Sequence, residues 1–284
     1  MEKDLHEFVG RAMARAASEM TDLAPWGAMK NEKQNVKLWR RKQTGAPVDP
    51  VRCDGYLTGA SAREFAMLFV DEQFLRLLDK NIQVVEAITS CPDKSFPGLE
   101  LKVLRSVDGL PWPLSNREHT FAVASRPVVN ATATADANCA PVWYHIAETM
   151  PVSDFQLGKG NVWCTKYICL SFEDRPEENR VFGSIVVEAD PRGNIPSKIV
   201  SMRINAARTY FANLSKTVQS PLGVERLKAV RQQIAAVTKG AKASAQPKAS
   251  DAEAGAEATK PPPVVEDSSD GNVATEPLPE PAAE

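Results

Sequence analysis

Only three histidines occur in the 284 residues: His6, His119 and His145. Imidazole is the side chain that exchanges a proton near neutral pH, so these positions bound any histidine acid–base chemistry. His119 and His145 fall in strand-like runs, 119–129 and 142–149, where side chains alternate between two faces. Charged residues mark the outward face, because an unpaired buried charge is costly. On that rule Arg126 leaves His119, Phe121, Val123 and Ser125 facing inward, and Glu148 leaves Trp143, His145, Ala147 and Thr149. Glu100 and Lys102 direct Leu101, Val103 and Arg105 inward, and Lys166 does the same for Trp163, Thr165, Tyr167 and Cys169. The expected interior is apolar but dotted with Arg105, His119, His145, Thr165 and Tyr167. That composition suits a small-molecule cavity, where a few polar groups orient a hydrophobic guest.

Other chemistries find little support. There is no G-x-S-x-G, no H-E-x-x-H and no Gly-rich phosphate loop. Five cysteines form no C-x-x-C pair, and an odd count with no framework predicts reduced thiols. His119 and His145 keep acid–base work open as a minor alternative.

The net charge of −2 hides a split: residues 241–284 carry nine acidic residues against three lysines, −6, which leaves +4 on residues 1–240. That surplus is too small to predict nucleic-acid binding and suits passing contact with an anionic membrane. No apolar run approaches the ~18 residues of a membrane span, and no signal-like apolar segment is read at the start. A cytoplasmic protein, peripheral to membranes, is the expectation.

The elements that must position the polar set are legible in outline. Helical spacing predicts a helix over 2–20, and Ser61 with Glu64 makes a capping box for another. Strands are expected at 36–42, 51–58, 82–89, 99–106, 119–129, 142–149, 162–171 and 180–188, with short connections that favour an antiparallel meander. A helix of about twenty residues follows from Ser197, with Val200, Ile204, Ala207, Phe211, Leu214 and Val218 as its apolar stripe. A second amphipathic helix, 221–238, has Val224, Leu227, Val230, Ile234 and Val237 on one side. It is expected to pack back on the domain or on a partner helix, or, less favoured, to lie on a membrane. Residues 241–284 are rich in Ala, Pro and Glu with almost no large apolar residue, which predicts a disordered acidic tail.

Two joints frame this pattern: Pro111-Trp112-Pro113-Leu114-Ser115-Asn116-Arg117-Glu118, and Asp190-Pro191 followed by Gly193, Ile195 and Pro196. Prolines around Trp112 bar helix and force an extended entry into the next strand. Asp190 to Gly193 reads as a turn, and Pro196 as a helix start. With Trp39 and three intervening strands, the ordered pair resembles the StAR-related lipid-transfer (START) family over roughly residues 1–220. The sequence departs from that family's pattern at Val123, where some members carry an Arg, and at Trp163, where an Arg is frequent.

The resemblance implies an α+β helix-grip fold, a curved antiparallel sheet wrapped around a long C-terminal helix. It implies one enclosed lipid (sterol, phospholipid or sphingolipid) moved between membranes, with no metal, no catalytic cofactor and no catalytic residue. The expected organisation is a lipid-binding domain over 1–220, an added helix over 221–240 and the tail over 241–284. Expected ligand contacts are Arg105, His119, Trp143, His145, Trp163, Tyr167, Val200, Ile204, Ala207, Phe211 and Leu214. A gate is expected among the loops 150–160 and 190–196 and the helix 197–219. The alternatives are a lipid-sensing adaptor, with a protein partner at the tail, and an enzyme acting on a hydrophobic ligand.

Overall fold

The computed structural model describes residues 2–29, 36–45, 48–128, 140–153, 155–193, 195–196, 199 and 206–245. The expected disordered tail from 246 onward, Val200 and Ile204 lie outside these.

The elements run α1 (Glu2–Thr21), β1 (Gly27–Ala28), β2 (Lys37–Arg40), β3 (Val51–Leu57), α2 (Ala62–Leu68), α3 (Glu72–Leu78), β4 (Ile82–Pro92), β5 (Glu100–Asp108), β6 (Arg117–Val128), β7 (Val142–Thr149), β8 (Val162–Trp163), β9 (Thr165–Arg175), β10 (Arg180–Asp190), α4 (Tyr210–Gln219) and α5 (Pro221–Ala245). The strands among the described residues form one open sheet in the order β1-β2-β3-β10-β9-β7-β6-β5-β4, with β8 joining β6 off this path. Every pairing is antiparallel except β8 with β6. The architecture is α+β, as the strand spacing predicts. The capping box forms as expected: Ser61 Oγ accepts from Glu64 N–H, and the Glu64 carboxylate accepts from Ser61 N–H at 2.8 Å.

Both faces of the sheet are covered. The inner face meets α2, α3, α4 and α5, and its core joins Leu57, Leu170, Phe172 and Ile185 to Phe65, Leu68, Phe211, Leu214 and Leu227. The outer face lies under α1, whose stripe Leu5, Val9, Ala12, Ala16 and Met20 packs on Leu101, Val103, Ala122, Tyr144, Ile146 and Cys169. α4 is seated by its ring at Phe211. Gly55 and Gly183 are partners across β3 and β10, and a Cβ on either would stand 2.8 or 2.7 Å from that ring. The two glycines leave bare backbone on which Phe211 lies.

The C-terminal helices differ from expectation in two ways. A turn at 208–209 breaks the helix before α4, so 206–219 is not continuous. Thr209 sits there with its hydroxyl donating to the carbonyl of Ala206, a local bond that competes with helix hydrogen bonding. The last helix extends past 238 to Ala245 and packs back on the domain, with Arg226 on Asp71 and Arg231 on Glu64 at 2.7 Å.

Candidate functional site

A cavity of about 450 Å³ lies between the inner face and the helices. Its sheet side is built from Phe121 and Val123 of β6, Ala147 of β7 and Ile168 and Leu170 of β9. Leu75 and Leu78 of α3, with Ile82 and Val85 of β4, close one flank; Tyr210 and Asn213 of α4 close another. Leu110 and Pro111, from the joint between β5 and β6, also line it. The next residue, Trp112, is 93% exposed.

Polar groups are few and mostly tied to the protein. His145 Nδ1 lies 2.9 Å from Ser125 Oγ, and that hydroxyl gives its one proton to the carbonyl of Ala66 at 2.6 Å. The Nδ1 must therefore donate, which leaves the lone pair on His145 Nε2. Burial lowers the His145 pKa to about 3. His119 has Cys164 Sγ 3.5 Å from its Nδ1; burial first, then the charge of Lys166, lowers its pKa to about 4. Both rings are neutral at physiological pH. Lys166 reaches Asp108 at 3.4 Å, and Asp108 also accepts from Ser106 at 3.1 Å. The walls thus offer hydrogen bonds in apolar surroundings, with the lysine balanced by a carboxylate.

The structure brings His119 and His145 to the cavity wall. Trp143 shares their face but is packed in the inner core, with Arg63 over its ring at 5.4 Å. Ala207, before α4, and Phe211 and Leu214 of α4 also pack into that core, and it is Tyr210 and Asn213 of α4 that face the cavity.

Arg105, Tyr167 and Trp163 lie elsewhere, which corrects the face assignment for β5 and β9. Tyr167 is buried under α1 with the Arg15 guanidinium 3.7 Å over its ring. Trp163 packs on Phe155 and lines a separate groove of about 540 Å³ with Tyr167, Arg15 and Glu188. Arg105 bonds Glu118 and Glu86, each at 2.7 Å. The charge rule presumes one wet face, but here α1 dries the outer face. Lys102 and Lys166 instead sit on the inner side, where Glu72 and Asp108 neutralise them.

The two joints meet in space. Arg117, buried at the start of β6, donates to the carbonyls of Ser115, Pro191 and Arg192. Glu118 is fully buried and accepts from Arg105, from Asn161 and from the Gly158 N–H at 2.8 Å. This dipeptide fastens the loops after β7 and after β10 to the strand beside the cavity. Glu118 makes a salt bridge with Arg105, whereas Arg117 serves backbone carbonyls.

Sequence reasoning missed Tyr210, Asn213 and Lys166 as wall residues. Nothing local in α3, whose Leu75 and Leu78 line the wall, says that it faces a void.

No family model and no curated protein matches the sequence. Solved structures do. Human StAR-related lipid transfer protein 5 aligns at 17% identity and a TM-score of 0.62, over 77% of this chain and 98% of that one. Human STARD10 aligns at 12% and 0.60, over 82% and 87%. The STAR-related lipid transfer protein of Xanthomonas axonopodis aligns at 17% and 0.54, over 69% and 99%. Together with the sheet order, the covering helices and the cavity between them, these likenesses give the chain the helix-grip fold of StAR-related lipid-transfer (START) domains.

Proposed function

We propose that the protein encloses one lipid in the cavity beneath α3 and α4 and carries it between membranes. The observation that supports this most is the cavity itself: about 450 Å³, with mostly apolar walls and two neutral imidazoles. The solved structures that share the fold carry lipid transfer in their names.

The energetics explain the need for such a space. Each methylene leaving a bilayer for water costs ~0.8 kcal/mol, so a lipid with about 30 of them escapes very slowly. An apolar cavity turns escape into exchange between two apolar surroundings. At about 450 Å³ the cavity has room for the apolar body of an amphiphile. The unprotonated Nε2 of His145 accepts from a hydroxyl, which favours an uncharged polar head over an acidic one.

Membrane contact falls to the joint at 111–113. Trp112 projects into solvent beside Pro111, a wall residue, and an indole suits the headgroup level of a bilayer. No helix among the described residues is long and apolar enough to cross a membrane.

The test is mass spectrometry of lipid co-purified with the full chain, followed by transfer of that lipid between donor and acceptor vesicles. A stoichiometric guest and protein-dependent transfer are expected. A guest-free protein that speeds no lipid's transfer overturns the reading.

A further inference from the structure

Away from the cavity, three potential metal ligands from two distant parts of the chain meet. Glu2 and His6 stand four residues apart on the first turns of α1, on one face of the helix. Cys91 comes from β4, the strand at one end of the sheet. One donor atom from each lies within 4.8 Å of the other two. A carboxylate, an imidazole and a thiol form a ligand set that zinc accepts.

A second observation points the same way. His6 Nε2 is shut from solvent and hydrogen-bonds nothing. A buried ring nitrogen without a partner is rare and costly. Cys91 is a free, half-buried thiol beside it. Glu2 is exposed and holds Lys94 at 3.0 Å, a surface pair of little strength that a divalent ion displaces at small cost.

We propose that Glu2, His6 and Cys91 bind a zinc-class divalent cation between the first turns of α1 and the end of β4. Tetrahedral bonds of about 2.0–2.3 Å set donor atoms roughly 3.5 Å apart, so the present set closes by about an ångström of side-chain rotation. Three protein ligands leave a fourth position for water. The site lies on the outer side of the sheet with α1, apart from the cavity walls, and stands independently of any lipid. It would fasten the helix that covers the outer face to an edge strand, and so tie that cover to metal supply. Sequence reading predicts no metal because the ligands are 85 residues apart and match no local motif.

Cobalt(II) is the probe, since a thiolate ligand gives a charge-transfer absorption in the near ultraviolet. The full chain is titrated with Co²⁺ and then with Zn²⁺, with melting followed in parallel. One equivalent of Co²⁺ with the thiolate band, its displacement by Zn²⁺, and a Zn²⁺-dependent rise in Tm are expected. Cys91→Ser should remove the band, and Glu2→Gln, at an exposed position where folding is indifferent, should weaken binding about tenfold. No thiolate band in the wild-type chain overturns the proposal, as does a band that survives in Cys91→Ser or affinity unchanged in Glu2→Gln.

Discussion

Arg117 and Arg192 are 75 residues apart in sequence, and the guanidinium of the first donates to the carbonyl of the second at 3.0 Å. The same guanidinium holds the carbonyls of Pro191 and Ser115. Three backbone acceptors on one buried cation fasten the exit of β10 to the entry of β6, beside the cavity. This relationship gives physical content to the two joint motifs.

Replacing Arg117 tests the fastening. Hydrogen bonds to a charged partner contribute ~1.5–3 kcal/mol each, and three carbonyls lose theirs together. Arg117→Ala should lower stability by at least ~3 kcal/mol, read as the denaturant midpoint. Arg117→Lys keeps the charge but not the fork, and should recover less than half. Wild-type stability in Arg117→Ala would show that water replaces the guanidinium without loss.

The seat of α4 is testable through Gly183. An added methyl there meets the Phe211 ring at 2.7 Å, and overpacking of this kind costs about 1–3 kcal/mol. Gly183→Ala should lower Tm, and pairing it with Phe211→Leu should recover part of the loss. A double variant no more stable than Gly183→Ala would place the strain elsewhere.

Cavity occupancy is tested by Ala147→Trp, which puts an indole into the space from β7. Co-purified lipid should fall to a small fraction of wild type while the folded circular-dichroism spectrum persists. Undiminished lipid in native mass spectrometry would move the guest to another place.

Trp112→Ala separates binding from delivery. With a side chain 93% exposed, its loss should leave Tm and lipid content unchanged. Vesicle transfer should slow by about tenfold, the effect of ~1.4 kcal/mol of interfacial contact. Equal transfer rates would remove Trp112 from the docking surface.

Acid should unfold the protein in a defined window. His119 and His145 titrate near 4 and 3 when folded, well below the ordinary value of 6.5. The unfolded chain therefore binds protons first, and stability falls with pH from about 6.5 down to the folded values. Above 6.5 neither ring contributes a slope. His119 alone accounts for about 3 kcal/mol across that window. His119→Gln should flatten the curve of unfolding free energy against pH between 6.5 and 4; an unchanged slope would assign the acid sensitivity to other groups.

Much of the fold was legible because its signals are local. The α1 stripe, the capping box at Ser61 and the alternation in β6 and β7 each follow from neighbours in sequence, and they placed His119 and His145 on the correct face. Lys166 and Lys102 defeated the same logic. A lysine says that its ammonium is neutralised or wet, not which side of a sheet it occupies, and Asp108 and Glu72 supply the neutralising charge from distant strands and helices. Phe211 is a similar case. Its spacing marked it as buried, but only the pairing of Gly55 with Gly183 explains why it fills a seat in the scaffold rather than a wall of the void. Trp112 looked architectural between two prolines, and its solvent exposure is a tertiary fact.

The strand path ends at β1 on one side and β4 on the other, and α3 and α4, with Ile82 and Val85 of β4, close the hollow. Its roominess is then set by side chains of α3 and α4 against a fixed backdrop. Moving α3 or α4 outward would loosen polar ties such as Glu72 to Lys102 and the Thr58 N–H to Ser215 Oγ, yet leave every rung of the β-ladder intact. On this construction, any change of girth falls to the helices while the β-frame keeps one shape.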